Sequence, residues 1–412
     1  MKLKPQEIEI QNIDHLGIVA GIIDAIGIVE IINELIGVEK GEKVNAGQVV
    51  KAMIINGLGF VSKPLYMFPE YFETIACEHL IGTGIKPEYL NDDKLGRVMD
   101  KLFIKGLDTI FFIIALKAAQ RFGVSLSTSH LDSSSMHVHG LYNTSLPEVI
   151  FESQKVGDNQ ELEEIAVKSP KEITITYGYS RDHRPDLKQF IIEMICSGDG
   201  DIPIFLKLAS GNQADSSCFG KIAVEYQKQL EVNSLIVADS ALYTEPNLKM
   251  MSELRWLCRV PLSIKAAKSL ISTVLDSKEL SDDSMLSEYK AQQSCERGFG
   301  FLKDPLFFAD SIFLKSPERI ESLGMIMGLC LLVYTLAQRQ IRNALKESKS
   351  TIKNQLGKAT DRPTLRWIFQ CFQCIHLVTL NQEEHISNWN KDRDFILRLL
   401  PDDCLRYYQL FT

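Results

Sequence analysis

An excess of positive charge is what this chain lacks. Its 45 lysines and arginines are outnumbered by 53 aspartates and glutamates, for a formal net charge of -8. That balance argues against a protein that coats nucleic acid without selection, while leaving room for a local basic groove. A long uninterrupted apolar run is also missing. The most apolar stretch, Leu323 to Ala337, contains Gly324, Gly328 and Thr335 and is flanked by Arg319, Glu321 and Arg339. It is short for a bilayer, reads as a buried helix, and leads us to expect no membrane partner. The opening MKLKPQEIEI has no apolar segment followed by a small-residue cleavage site, so the mature protein is expected to begin near Met1 and to stay in the cytoplasm. The nine cysteines show no framework spacing, which fits a reducing compartment. Cys371 and Cys374 make one CxxC pair, but no second pair follows at zinc-finger spacing, and the surrounding Trp367, Ile368, Phe372 and Ile375 resemble a helix core. Repeats and low-complexity blocks are absent as well.

What the chain has is the content of an ordinary globular protein. Hydrophobic residues make up 45% of it, enough for a sizeable core, and its length fits two or three domains. Residues 1–124 read as mostly helical. Leu16 to Ile36 carry apolar side chains at mixed three- and four-residue spacings, interrupted by Gly17, Gly21 and Gly27. Asn45 is placed to cap a helix through Val49, Ile54 and Ile55 that stops near Gly57 or Gly59. Asn91 opens another, Asp92 to Phe103, with acids in the first turn where the helix dipole favours them. Gly82 and Gly84 lack the strand-turn-helix context of a dinucleotide site.

From Val124 the texture becomes β-like, with short runs at residues 125–132, 190–197, 202–210, 234–240 and 255–260. The turn Gly198 to Asp201 makes the second and third runs a hairpin. Helices are expected over Asp215 to Leu230 and from Glu245, and the acidic stretch Glu152 to Glu164 reads as an exposed loop. This order predicts a mixed α/β fold, a five-stranded mixed sheet with flanking helices, after a helical N-terminal domain. The C-terminal region, 311–412, reads as helical again. Ser316-Pro317-Glu318 is a strong start signal for a helix reaching about Lys346. The bases beyond it, Arg339, Arg342, Lys346, Lys349, Lys353, Lys358, Arg362 and Arg366, fit a solvated face as well as a phosphate track.

Three carboxylates stand at telling places: Asp132 at the end of the first strand, Asp239 at the end of the fourth, and Glu296 on a late helix. Within that helix Tyr289, Gln292, Glu296 and Lys303 fall at i, i+3, i+7 and i+14, on one narrow face, before Pro305 closes the segment. Taken alone the stretch suits an amphipathic surface helix better than a catalytic one. If the first and fourth strands are neighbours, the two aspartates converge and the glutamate helix packs across the same edge. Carboxylates so gathered need positive charge among them. Two magnesium ions about 3.5 to 4 Å apart would supply it, and would suit in-line phosphoryl transfer. His137 and His139 share a strand face, but imidazole is not magnesium's preferred ligand, and polar residues on an exposed edge are the plainer account.

These residues carry a resemblance. HLDSSS around Asp132, YGYSRDHRPDLKQ (177–189), SGNQAD (210–215), VADSALYT around Asp239, WLCRVP (256–261) and the stretch through KDPLFFADSIFLKSPERI (303–320) resemble bacterial DDE transposases of the insertion-sequence-four superfamily, most closely the sixteen-thirty-four group with its helical N-terminal domain. The superfamily signature is Tyr, two residues, Arg, three residues, Glu, six residues, Lys. Here Tyr289, Gln292, Glu296 and Lys303 stand at that spacing. The resemblance implies an RNase H-like catalytic core over residues 125–310, with Asp132, Asp239 and Glu296 as ligands of two Mg2+ ions, which Mn2+ can replace. It also implies cleavage at terminal inverted repeats, strand transfer into target DNA, and a homodimer at the synapsed ends of a nucleoid-associated mobile element. Tyr289 and Lys303 inherit DNA-end contacts, Gln292 and Arg297 stand among them, and Arg184 and Lys188 are candidate DNA contacts. Two departures stand out. Gln292 replaces the arginine, losing a permanent charge and a bidentate phosphate fork. Between residues 261 and 288 the chain has only a short connection where relatives carry a long β-rich insertion domain, as if by internal deletion. An impaired transposase is therefore one reading, and a catalytically inactive DNA-binding remnant that occupies transposon ends and represses transposition is the other.

Overall fold

In the computed structural model, which describes residues 8–139, 150–152, 165–167, 171–179, 184–230, 232–261, 264, 281–305 and 314–409, strand β1 (Ile8–Asn12) precedes a set of helices: α1 (Leu16–Ile26), α2 (Ile28–Ile36), α3 (Ala46–Leu58), α4 (Phe68–Glu73), α5 (Cys77–Ile81), α6 (Asp92–Lys105) and α7 (Leu107–Arg121). The apolar stretch from Leu16 to Ile36 is two helices because Gly27, at φ 83°, takes a left-handed turn that only glycine adopts cheaply. Asn45 caps α3 in a full capping box with Gln48, and the Asn91 side chain accepts the Lys94 amide at the start of α6.

The middle of the chain builds the sheet. It contains β2 (Thr128–Val138), the short pair β3 (Ile150–Glu152) and β4 (Ile165–Val167), then β5 (Lys188–Ser197), β6 (Pro203–Ser210), α8 (Asp215–Lys228), β7 (Leu235–Ala238), α9 (Glu245–Met250) and β8 (Trp256–Cys258). β6, β5, β2, β7 and β8 form one five-stranded sheet in that spatial order. β5 lies antiparallel to β2 and β6, whereas β7 is parallel to β2 and β8 parallel to β7. Numbered along the chain within the sheet, the order is 3-2-1-4-5 with the first three strands antiparallel, the arrangement of an RNase H-like fold. All five strands expected from the sequence take part.

Two helices follow, α10 (Asp282–Ala291) and α11 (Gln293–Leu302), and then α12 (Pro317–Glu347), β9 (Ile352–Lys353), β10 (Ala359–Thr360), α13 (Leu365–Cys371), β11 (His376–Leu380), β12 (Glu383–Ile386), α14 (Lys391–Leu397) and α15 (Asp402–Leu405). The single helix expected through Tyr289 and Glu296 is thus corrected to two. Gln292 keeps helical angles, but its amide bonds Tyr289 O and its carbonyl takes the Cys295 amide, so the ladder tightens to i, i+3 spacing at the junction. Most of the segment between 261 and 288, where the insertion is expected to be missing, lies outside the described residues, as does the acidic loop between Glu152 and Glu164.

α12 begins where Ser316 accepts the Arg319 amide and Pro317 takes the first turn, and it runs through the core. By length and hydropathy it passes for a membrane span, but 89% of its apolar window is buried inside the fold. Gly324 and Gly328 let it press on β6. A Cβ at those positions would lie 2.5 Å from Leu208 Cδ2 and 2.6 Å from Leu206 Cδ1. The C-terminal region also holds strands that the sequence reading did not pick out. β11 pairs antiparallel with β1, Ile8 opposite Leu380 and Asn12 opposite His376, and with β12. Tyr408 then closes the chain onto α1, its hydroxyl donating to Asp14 O at 2.6 Å and accepting the Ile18 amide at 3.1 Å.

Candidate active site

Side chains alternate along β2. Ser129 bonds Tyr226 of α8, and Ser133 bonds Asp215 at the start of α8. His130 faces the other way, its Nδ1 2.8 Å from Ser294 Oγ of α11. Asp132, two residues on, therefore lies on the α11 side of the sheet, half-buried, and its expected place at the strand end is corrected to mid-strand because β2 keeps pairing with β5 as far as Val138. The parallel register pairs Leu131 with Ala238, so the residues that follow, Asp132 and Asp239, come out side by side on neighbouring strands. Asp239, also half-buried, caps the turn Ser240–Leu242 by accepting the Ala241 amide at 2.8 Å.

Glu296 arrives on α11, which docks face-down on β2 and β5. Its underside is Ser294, Cys295, Gly298, Phe299 and Leu302. The Cys295 thiol donates to His130 O at 3.0 Å, and a Cβ on Gly298 would lie 2.7 Å from Cε of Met194, the residue opposite Asp132 on β5. Glu296 sits between those two anchor points and is exposed. The register therefore sets Asp132 and Asp239 just after paired residues of β2 and β7, and the glutamate's helix lies over β2 and β5. Among the described residues the fold does not gather three or more His, Cys, Asp or Glu side chains into a group able to hold an ion. The three acids expected as ligands would offer carboxylate oxygen alone, which suits a hard cation such as Mg2+ or Mn2+.

Beneath the aspartates lies a polar layer with no role assigned by the sequence. Asp132 Oδ1 accepts the Ser133 amide at 2.8 Å, and the Ser133 hydroxyl donates to Asp215 Oδ1 at 2.5 Å. Glu193, opposite Ser133 on β5, accepts from Gln213 Nε2 at 2.5 Å, and burial raises its pKa. Arg259, exposed just after β8, reaches Ser240 Oγ at 3.4 Å, next to Asp239. Gln213, Asp215 and Arg259 lie in SGNQAD and WLCRVP, so the motifs were visible although their contacts were not. The His130 ring is buried between the last two helices of the core, with Nε2 3.9 Å from Glu288, and burial lowers its pKa to about 4.

Arg297 is held bidentately by Asp201, at 2.9 and 2.8 Å, and Arg184 by Asp186, at 2.9 and 2.8 Å. Lys188 opens β5 opposite Val138. Tyr289 and Gln292 lie at the half-buried junction of α10 and α11. Lys303 caps α11 and lines a cleft of about 670 Å³ between α3, α6, the end of β2 and α12, together with Lys63, Arg319, His137 and His139.

Residues 8–116 match a family model described as a domain of unknown function (DUF4277). No curated protein matches the chain. Among solved structures, the chain is similar to a piggyBac transposase synaptic complex with hairpin DNA, at 11% identity and a TM-score of 0.44, over 95% of this chain and 86% of that one. It is also similar to a Mos1 transposase paired-end complex with the left transposon end, at 11% identity and a TM-score of 0.19, over 49% and 68%. A pre-cleavage Mos1 transpososome matches at 10% identity and a TM-score of 0.20, over 53% and 72%.

Proposed function

We propose that this chain is a DDE-type transposase of the insertion-sequence-four superfamily, acting on the ends of its own element and on target DNA at the bacterial nucleoid. The observation that supports the reading is the register of β2 and β7, which pairs Leu131 with Ala238, the residues before Asp132 and Asp239, in a sheet of RNase H order whose β2 and β5 carry the helix that bears Glu296. In this reading Asp132, Asp239 and Glu296 hold divalent cations, Mg2+ or Mn2+. When bound, such cations activate an attacking hydroxyl and stabilise the departing oxygen of a phosphodiester. The chain's own residues do the rest. Ser133 and Asp215 fix the backbone that follows Asp132. Lys303 and Tyr289 hold the transposon end, and two copies of the chain bring two ends together.

The second reading, a DNA-binding remnant without catalysis, has one observation in its favour: among the described residues the three acids do not close into an ion cage. A supercoiled plasmid carrying the genomic DNA that flanks the coding sequence separates the two. Nicking that requires Mg2+ and is lost in Asp132→Ala supports the enzyme. Binding of the same DNA with no nicking under any divalent cation supports the remnant.

A further inference from the structure

After α12 the chain makes a small hairpin whose construction exceeds what the fold requires. β9 and β10 are two residues each, with Lys353 opposite Ala359 and Ile352 opposite Thr360. The five residues between them are fixed almost entirely by Asn354. Its amide donates to Lys358 O at 2.8 Å, its carbonyl takes the Gly357 amide at 2.9 Å, and its side-chain oxygen accepts the Leu356 and Lys358 amides at 2.9 and 3.0 Å. Gly357 turns the chain at φ 72°. The stem is bolted to the body by Trp367 Nε1, which donates to Lys353 O at 2.7 Å, and by buried Ile352.

This braced loop presents an apolar side chain to water: Leu356 is 79% exposed. Around it Lys346, Lys349, Lys353, Lys358 and Arg362 are all exposed, against Glu347 and Asp361 as the only acids from 346 to 362, in a protein whose net charge is -8. Arg342 donates to Pro363 O at 2.9 Å, and Arg366 lies 3.4 Å from Asp304, the residue after Lys303 at the end of α11.

We propose that the 354–358 loop is a duplex-DNA wedge, with Leu356 entering a base step from the minor groove and Lys353 and Lys358 on the phosphates of the two flanking strands. A pre-ordered apolar tip between cations suits that site. The lysines exchange condensed counterions for contacts, and the apolar side chain unstacks a step and bends the duplex toward the major groove. Rigidity matters because a floppy tip would lose the wedging energy to its own ordering. The bend would carry DNA held at α11 across the basic surface. The proposal rests on the reading of this chain as a DNA-acting protein.

The test uses the full chain and a short duplex labelled at both ends, read by energy transfer at saturating protein without divalent cation. Wild type should shorten the end-to-end distance. Leu356→Ser, on an exposed tip that leaves the melting temperature unchanged, should lose that shortening. Lys353→Glu with Lys358→Glu should weaken binding and reduce the slope of log affinity against log salt by about two. Undiminished bending by Leu356→Ser, or an unchanged slope in the lysine pair variant, overturns the wedge. So does a Leu356→Ser phenotype confined to self-association in sedimentation, which would make the tip a protein contact. If wild type binds and bends DNA yet never nicks it, the wedge stands while the catalytic reading falls. If it binds no duplex, both fall.

Discussion

The Ser133 hydroxyl donates to Asp215 at 2.5 Å while the Ser133 amide donates to the carboxylate of Asp132 at 2.8 Å. One serine thus couples the start of α8 to the candidate metal ligand. Asp215→Ala should remove this buried hydrogen bond, costing ~1–3 kcal/mol of stability. It should also slow nicking by on the order of 10²-fold, because a ligand displaced by about an ångström misaligns the reaction. Asp215→Asn, which keeps an acceptor oxygen, should recover most of both. Urea denaturation and a nicking time course read the two effects separately.

Arg297 and Lys303 should behave differently, because Lys303 lines the cleft at the end of α11. The Arg297 guanidinium is already committed to Asp201, in an exposed pair. Arg297→Ala should change stability by less than ~1 kcal/mol and leave the salt dependence of DNA binding as it was. Lys303→Ala should lower the salt slope by about one. Binding isotherms at several salt concentrations check both.

Glu321 on α12 supplies a pH signature of folding. Burial, and then the nearby Glu318, Glu172 and Asp108, push its pKa up from 4.5 to about 8, although the Ile173 amide bonds it at 2.8 Å. Between those values only the unfolded chain has released its proton. Stability therefore falls as pH rises through the window, by as much as ~4 kcal/mol at its upper end. His15 and His130, both lowered to about 4 mainly by burial, act in the opposite sense up to about pH 6.5. Comparison with Glu321→Gln isolates the carboxyl: the stability difference between variant and wild type should grow with pH in urea titrations.

Gly328→Val tests α12 as a core helix. The added side chain meets Leu206 and Phe111 at 2.6 and 3.0 Å, and such overpacking should cost ~1–3 kcal/mol, read as a lower denaturation midpoint with unchanged slope.

Much of this fold was legible because its signals are local. Asn45, Asn91 and Ser316 each cap the helix that their position announces. β5, β6, β7 and β8 of the main sheet are apolar runs that end in turn residues or just before Asp239, whereas β2 is mostly polar and runs on past Asp132 to Val138. The sheet that ties the termini together was not legible. β1 is largely exposed, β12 is polar, and their alignment depends on pairing Ile8 with Leu380 across nearly the whole chain. Nothing at Gln292 announces a helix break, since neither glycine nor proline stands there. The break coincides with a buried ring, His130, that lies against Ser294 on one helix and Glu288 on the other. At the site, Asp239 at the end of its strand was readable, whereas the place of Asp132 within a longer strand and the commitment of Arg297 to Asp201 are settled only by tertiary structure.

The claim on which the account depends is that Asp132, Asp239 and Glu296 share bound cations. Replacing Mg2+ with Fe2+ and generating hydroxyl radicals in place cuts the backbone next to whichever residues hold the metal. The account predicts cuts near all three positions in the DNA-bound wild-type chain, all lost together in Asp132→Ala. Cuts confined to other positions, or a cut near Glu296 that survives Asp132→Ala, would contradict it.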